Sequence, residues 1–292
     1  MTGGSHNTAS GSRALYSNTG GEYNSATGML ALYFNTTGGR NTANGLSALY
    51  ANTTGNYNTA IGCHALYANI NGSNNTAIGS FADVTTNGLT NATAIGYNAK
   101  VTTDNQIVLG NYTVTSVGGV VNWSTVSDGQ TKKNIRSEVP GLTFINRLQP
   151  VMYNLDLDVL DKLQKSDDKK INEFQDSIRM ARSPEEKEIE AKSRANKEKI
   201  VYSGFIAQDV EKAARSVGYD FSGVDVPENE KGTYGLRYAE FVVPLVKAVQ
   251  ELSEQNDTKD AAIASLQKQV NELTGLVYQL MGKEPKELKE IR

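Results

Sequence analysis

The residues with the clearest chemical potential are Ser127 and Lys132, which are five positions apart in a polar segment. A serine hydroxyl becomes a nucleophile when a base within hydrogen-bonding reach takes its proton. Lys132 can return to Ser127 across a tight turn, but only a neutral amine accepts a proton. An ordinary lysine, with a pKa of about 10.4, is neutral in roughly 4 of ten thousand molecules at pH 7, so burial or a nearby cation such as Lys133 must lower that pKa. The alternative is a plain turn or helix cap, which is the commoner role of a Ser-Asp-Gly segment.

The chain changes composition sharply near Ser127. Residues 1–126 contain three of the 29 Lys and Arg, three of the 32 Asp and Glu, 18 of the 27 glycines and no proline, so the remainder carries nearly all of the charge. Such a shift predicts two structures built on different principles. The net charge of -3 gives no reason to expect binding to nucleic acid or to an anionic membrane.

The composition also argues against several site types. A single cysteine, Cys63, and two histidines cannot supply a structural zinc site, so we expect no metal and no cofactor. The chain has no apolar run of about 18 residues, and residues 1–10 lack the apolar core of a signal peptide. We therefore expect no membrane insertion, and any export would use another route.

The first half of the chain is a repeat with a period of 17 residues. Alanine recurs in six units, at Ala9, Ala26, Ala43, Ala60, Ala77 and Ala94. Glycine follows two positions later in each unit, and four units carry the tripeptide Ala-Leu-Tyr. Glycine and asparagine at this density disfavour helix. The pattern predicts a β-solenoid of six 17-residue coils over residues 1–111, with small alanines inside and stacked rows of leucine and tyrosine.

This repeat resembles the left-handed β-roll head of trimeric autotransporter adhesins. The residues that carry the resemblance are 58–62 and 75–79, both Asn-Thr-Ala-Ile-Gly, and 104–111. The resemblance implies a homotrimer packed around a three-fold axis, and its 17-residue unit is longer than the family's. An uncharged Asn/Thr-rich ladder suits adhesion to a cell-surface receptor or glycan, and a passive spacer is an equal alternative. Ice binding by the threonines is a weaker hypothesis.

The end of the chain has the spacing of a coiled coil. The a and d positions step by three and four, and eight of the ten are apolar: Val249, Leu252, Asn256, Lys259, Ile263, Leu266, Val270, Leu273, Val277 and Leu280. Side-chain rules alone favour a parallel dimer, because β-branched residues occupy most a positions and Asn256 occupies another. An amphipathic helix packed within one chain is the alternative. Pro244 marks either the start of this helix or a kink in it.

Between these regions the local patterns are simpler. Residues 112–123 are strand-like, and the charge-dense residues 156–200 predict two solvated helices, broken at Ser183-Pro184, that project from the domain. Residues 204–210 are expected to be a buried strand that runs into a helix starting at Asp209.

Four segments in order resemble the intramolecular chaperone domain of phage endosialidases and tail fibres. They are Ser127-Asp128-x-x-x-Lys132-x-x-Ile135, residues 148–153, residues 204–210 and residues 236–252. The resemblance implies a domain that trimerises, guides folding of the preceding β-structure and then cuts itself off. It places the scissile bond between Val126 and Ser127, with Ser127 as nucleophile and Lys132 as general base. Asp128 matches the motif without an assigned role, and Gln208 or backbone N–H groups brought in by another subunit are candidate oxyanion donors.

The resulting hypothesis is a mixed, homotrimeric protein. It has a β-roll head at residues 1–111, a strand-like connector at 112–126, an α+β chaperone autoprotease at 127–250 with the insertion at 156–200, and a coiled-coil helix at 249–282. We expect a single-turnover self-cleaving serine peptidase in a virion tail fibre or on a bacterial cell surface. The alternative is a structural trimeric fibre or adhesin that never cleaves, in which Ser127 and Lys132 are turn residues.

Overall fold

The computed structural model describes residues 4–166, 168–229 and 232–281, which form two compact units. The first unit consists of the described residues up to 126 together with 150–204 and 226–235. The second consists of 127–149, 205–225 and 236–281. Residues 1–3 of the expected head and residue 282, the expected end of the coiled coil, lie outside the described residues.

The first unit contains the expected parallel β-solenoid. Its seven-stranded sheet comprises β1 (Thr8–Ser10), β2 (Ser25–Thr27), β3 (Thr42–Asn44), β4 (Thr59–Ile61), β5 (Thr76–Ile78), β7 (Thr93–Ile95) and β9 (Ile107–Leu109). Each strand pairs in parallel with the next, and equivalent alanines face each other across coils, as Ala43 faces Ala60. A smaller parallel pair, β6 (Asp83–Val84) and β8 (Lys100–Val101), lies on the last coils. The 17-residue period is therefore one coil of the solenoid.

Close stacking of the coils explains the small residues. The central alanines of the strands, such as Ala26 and Ala60, are fully buried in one cluster with the repeated leucines. Gly45 has a φ of 142°, and a Cβ there would lie 2.6 Å from the carbonyl carbon of Gly62 on the next coil. Only glycine fits this conformation and this approach. Leu49 has a φ of 51°, a strained conformation that the buried stack maintains.

Buried asparagines form a hydrogen-bonded ladder through the solenoid. The Asn52 side-chain amide donates to Asn35 Oδ1 at 2.9 Å and to the Gly55 carbonyl at 3.1 Å. Asn69 Nδ2 in turn donates to Asn52 Oδ1 at 3.1 Å. A second row of asparagines bonds to backbone groups of the next coil, as Asn41 Oδ1 accepts from the Asn58 N–H at 2.9 Å. The asparagines therefore satisfy polar groups that coil stacking removes from water.

We expect Asn52→Ala to lower the free energy of unfolding of the solenoid by roughly 2–4 kcal/mol. The substitution takes a partner from Asn35 Oδ1 and another from Asn69 Nδ2, and each buried group left short costs about 1–3 kcal/mol. Urea denaturation of the purified protein measures the loss. Asn44→Ala, at an exposed position of β3, is the control and should cost at most about 0.5 kcal/mol. Equal losses in both variants would show that the ladder contributes little.

The repeated tyrosines stack as a row along the outside of the coils. Tyr16 and Tyr33 have ring centroids 5.3 Å apart, Tyr33 and Tyr50 5.5 Å, and Tyr50 and Tyr67 4.9 Å. The interplanar angles of the three contacts are 13° or less. Exposure decreases along the row, from Tyr16 at 68 % to Tyr67 at 8 %. Ile171 and Phe174, from later in the chain, pack in one cluster with the last tyrosine.

The end of the solenoid departs from the 17-residue repeat. The step from Thr93 to Ile107 spans 14 residues, so the last coil is shorter than the others. The connector after it was expected to be strand-like, yet residues 112–126 form no strand in the described structure. A strand needs a neighbour for its backbone N–H and C=O groups, and the single chain offers none here. Val120, Val121, Trp123 and Val126 are all more than 80 % exposed.

The rest of the first unit is a helical insertion. It runs from β10 (Val151–Tyr153) through α2 (Leu157–Leu163), α3 (Lys169–Ala181) and α4 (Pro184–Glu198) to β11 (Tyr202–Gly204). β10 and β11 pair antiparallel. The expected break is correct, because Ser183 and Glu186 form a capping box at the start of α4. The expectation of two fully solvated, projecting helices was wrong, since there are three and Ile171 of α3 is buried against Tyr67.

The second unit is small and has an aromatic core. Its elements include α1 (Leu142–Ile145), α5 (Ala207–Ser216), β12 (Val224–Asp225) and two 3-10 helices (Gly129–Thr131 and Tyr238–Phe241), and β13 (Gly235–Leu236) begins at its boundary. Phe144, Phe221 and Phe241 pack with Val210 of α5. The helix after residue 204 begins at Ala207, two residues before the expected start at Asp209, and the strand ends at Gly204.

The second unit ends in the long helix α6 (Val242–Leu280). Pro244 lies in its first turn, where the missing N–H costs no helical hydrogen bond, so it marks the start rather than a kink. Glu251 of α6 accepts a hydrogen bond from the Leu142 N–H at 2.8 Å and thereby caps α1. The predicted a and d residues beyond Val249 form an exposed row, with Ile263 61 % and Leu273 61 % exposed. The helix thus carries an unpartnered apolar seam.

Candidate functional site

A single short turn joins Ser127 to Lys132. The 3-10 helix Gly129–Thr131 reverses the chain, and the Lys132 N–H donates to the Gly129 carbonyl at 3.2 Å. This turn brings the Lys132 amine back to the serine, with Nζ 2.8 Å from Ser127 Oγ. The structure therefore brings together the two residues that the sequence singled out.

Asp128 holds this turn. Its Oδ1 accepts from the Gln130 N–H at 2.9 Å, and its carbonyl oxygen accepts from the Thr131 hydroxyl at 2.7 Å. It is the N-cap of the 3-10 helix, which is the ordinary role of an aspartate at such a position. Among the described residues, Asp128 makes no hydrogen bond to the side chains of Ser127 and Lys132, which we call the dyad. Its contribution is to the position of Lys132 relative to Ser127.

Gln208 does not join this group. It lies exposed in the first turn of α5, and no hydrogen bond links it to Ser127 or Lys132 in the described part of the chain. A donor role for Gln208 from another subunit stays a prediction. Val126, whose carbonyl would be attacked, is 82 % exposed, so water reaches the bond that follows it.

The dyad is exposed in the single chain. Ser127, Asp128 and Lys132 all have exposed side chains. The hydrogen bond runs from Nζ as donor to Oγ as acceptor, which is the arrangement that leaves the serine proton in place. For nucleophilic attack the direction reverses at the same separation, with the hydroxyl donating to a neutral amine. The geometry therefore allows proton transfer once the amine is unprotonated.

A second charged pair, Asp83 and Lys100, is buried in the solenoid. The two residues are one period apart and pair across β6 and β8, with Nζ 3.8 Å from Oδ2. Asp83 accepts from the N–H groups of Ala68 and Val84, and Lys100 donates to the Phe81 carbonyl at 3.0 Å. Burial raises the pKa of Asp83 to about 6 and lowers that of Lys100. This pair was not predicted from the sequence. Its two charges are one 17-residue period apart, and that spacing is the sequence signal that could have identified it.

Removing one partner of this buried pair should destabilise the solenoid in a pH-dependent way. We expect Lys100→Met to lower the free energy of unfolding by about 3–5 kcal/mol at pH 8, because it leaves a buried carboxylate without a counter-charge. In the wild type the folded-state pKa of Asp83 is about 6, above its ordinary value of 3.8, and Lys100→Met removes the charge that lowers it. The folded-state pKa in the variant is therefore higher still, and stability falls as pH rises through it. The loss should therefore be smaller at pH 5, where Asp83 is largely protonated.

Unfolding free energies at pH 5 and pH 8 test this expectation. The double variant Asp83→Asn with Lys100→Met is the control, because it removes both charges and should lose the pH dependence between those values. A Lys100→Met variant with the same loss at both pH values would mean that Asp83 does not titrate in this window.

Other site types are not found among the described residues. No group of three or more His, Cys, Asp or Glu side chains is arranged to hold a metal ion there. No described helix combines the length and apolarity that crossing a membrane requires.

Comparison with known proteins adds no further assignment. Neither the family models, nor the curated proteins, nor the solved structures include a match to this chain.

Proposed function

We propose that this chain is a trimeric tail-fibre or adhesin-like protein with a self-cleaving intramolecular chaperone. In this proposal, residues 127–282 trimerise and assist folding of the solenoid that precedes them. They then release themselves by one cleavage between Val126 and Ser127. The chain would act in a virion tail fibre or at a bacterial cell surface, with a receptor or glycan as the partner of the solenoid.

The observation that carries the proposal is the 2.8 Å separation of Lys132 Nζ and Ser127 Oγ. A base within hydrogen-bonding reach is what a serine nucleophile needs. Asp128 caps the turn that sets this distance, which gives the Ser-Asp-x-x-x-Lys motif a structural reason for each of its three residues. The ordered resemblance to the chaperone domain of phage tail proteins supports the same roles.

The chemistry follows from the position of the serine. A neutral Lys132 amine takes the hydroxyl proton as Oγ attacks the carbonyl carbon of Val126. The C–N bond then breaks, the nitrogen of Ser127 takes the proton, and the acyl group has moved from nitrogen to oxygen as an ester. Water hydrolyses the ester to the Val126 carboxylate and restores the Ser127 hydroxyl. Because the peptide bond is consumed, each chain reacts once.

Assembly would determine when the chain cleaves itself. Ser127 and Lys132 are exposed in the single chain, and the apolar seam of α6 is exposed as well. Burial of a lysine disfavours its charged form. If three chains associate through α6 and cover the dyad, the amine becomes a competent base only in the assembled protein. Cleavage would then report successful assembly.

Denaturing electrophoresis of the freshly expressed chain tests the proposal. The wild-type protein should give two fragments, residues 1–126 and 127–292, and Ser127→Ala should remain whole. Ser124→Ala, three residues earlier on the exposed connector, is the matched control and should cleave like the wild type. A wild-type trimer that never cleaves would overturn the proposal.

One observation favours a second function. The segment around Ser127 is an ordinary capped turn, with Asp128 as the N-cap of the 3-10 helix. A structural trimer that keeps its C-terminal region would need nothing more from these residues. That protein would share the solenoid and α6, and it would remain a single band in the same experiment.

A further inference from the structure

The helical insertion lies after the scissile bond in sequence but packs against residues before it. Residues 150–204 and 226–235 belong to the same compact unit as the solenoid. Cleavage after Val126 would therefore place the two sides of one packed interface on different fragments. The contacts across this interface are aromatic stacking, cation–π contacts and hydrogen bonds.

An aromatic contact anchors α3 to the solenoid. The Phe174 ring stacks on Tyr67 with centroids 4.7 Å apart and an interplanar angle of 12°. It thereby continues the row of tyrosines by one ring. Phe174 also meets His64 edge-on at 5.2 Å, and Ile171 is buried beside Tyr67. Ile171 and Phe174 share one face of α3 because they are three residues apart.

Two arginines of the insertion lie on tyrosines at the end of the solenoid. Arg182 lies over the Tyr97 ring at 5.6 Å and donates to its hydroxyl. Arg194 lies over the Tyr112 ring at 5.4 Å and donates to the Tyr112 hydroxyl at 2.8 Å. The Tyr112 hydroxyl also bonds to Asp161 of α2. A guanidinium that both stacks and donates holds a tyrosine in one orientation.

Lys197 adds a polar contact from a buried side chain. Its side chain is largely buried, and Nζ donates to the Val114 carbonyl at 2.8 Å. Val114 lies in the connector, between the last coil and the scissile bond. From the second inserted segment, Asn229 donates to the Thr102 carbonyl at 2.9 Å. The inserted segments thus hold both the connector, at Val114, and the solenoid, at Thr102.

We propose that bond scission and fragment separation are two distinct steps, because the insertion holds the solenoid after the Val126–Ser127 bond is cut. We call Phe174, Arg182, Arg194 and Lys197 the insertion clamp. The inference rests on the proposed function for its biological meaning, although the clamp itself does not need the dyad. The nicked protein stays together until the clamp opens, and the clamp sets the rate at which the mature solenoid becomes free.

A cut made by an added protease tests the clamp without the dyad. Gly118 and Gly119 of the exposed connector are replaced by the recognition sequence of a site-specific protease, in a Ser127→Ala chain. A Cβ on Gly118 would meet no atom within 4 Å, so the segment has room for the change. After complete cutting, the fragments are passed through size exclusion under native conditions. We expect them to co-elute and to separate only in denaturant.

Variants of the clamp decide whether these contacts are responsible. Two clamp variants should speed dissociation of the cut fragments by tenfold or more, which is the magnitude typical of interface anchors. They are the single variant Phe174→Ala and the double variant Arg182→Ala, Arg194→Ala. Arg215→Ala, at an exposed arginine of α5, is the control and should leave dissociation unchanged. Circular dichroism before cutting confirms that each variant is folded.

Two results would overturn the inference. Wild-type fragments that separate as soon as the connector is cut would show that the insertion does not hold them. Fragments that stay together equally well in both clamp variants would show that other contacts do. Neither result bears on whether Ser127 and Lys132 cut the chain, because the Ser127→Ala background never uses them.

Discussion

Replacing Lys132 by methionine should abolish self-cleavage while the protein still folds and assembles. Methionine keeps the length and apolar stem of lysine but removes the amine, which lies 2.8 Å from Ser127 Oγ. Loss of a general base costs roughly 10²–10⁴-fold in rate, enough to leave the chain whole over days if the wild type cleaves within hours. The fraction cleaved against time, measured on denaturing gels, gives both rates.

Two further substitutions test whether cleavage requires a proton acceptor at position 132 rather than a positive charge. Lys132→Arg should also fail to cleave, because a guanidinium stays protonated and cannot accept the serine proton. Lys212→Met removes an exposed charge of α5, outside the turn, and should cleave within a few-fold of the wild type. Cleavage of Lys132→Met at the wild-type rate would exclude Lys132 as the base, whatever its distance from the serine.

Aspartate substitutions in the α6 seam should separate the chains and stop cleavage together. Ile263 and Leu266 are adjacent a and d residues of the predicted coiled coil and are exposed in the single chain. Charges at both positions would be buried unpaired in any assembly along this seam, at a cost of several kcal/mol per chain. Light scattering of the Ile263→Asp, Leu266→Asp variant should give the 31.6 kDa mass of one chain, and that of the wild type three times as much.

The matched control places the same charges on another face of the helix. Ala261 and Ala264 are also exposed on α6 but lie outside the a and d positions. The Ala261→Asp, Ala264→Asp variant should stay trimeric and cleave. A monomeric seam variant that still cleaves at the wild-type rate would show that the dyad works without assembly. A wild-type mass of two chains would favour the parallel dimer that side-chain rules predict.

The solenoid could be predicted because its signal is periodic. Stacked coils put the same residue type in the same environment every 17 residues. Ala43 and Ala60, for example, occupy equivalent buried positions on neighbouring coils. The shorter last coil breaks that register, and a single occurrence carries no period. The exposed apolar seam of α6 was likewise predictable from its heptad spacing.

Contacts between distant segments were harder to predict. A pattern shows which face of a helix is apolar, but not what covers it. Residues 156–200 therefore read as solvated helices, whereas Phe174 packs on Tyr67 more than 100 positions earlier. The dyad was predictable for the opposite reason, since Ser127 and Lys132 belong to one turn and five residues set their distance. Asp128 was recognised as part of the motif, and its role as a cap became clear from the hydrogen bonds.

The most direct test of the central claim is the identity of the new chain ends. Mass spectrometry of the purified wild-type protein should find one fragment that ends in a free Val126 carboxylate and another that begins with the Ser127 amine. Their masses should add up to that of the intact chain plus one water. An intact chain alone, a cut at a different bond, or the same cut in Ser127→Ala would contradict a serine that breaks its own peptide bond.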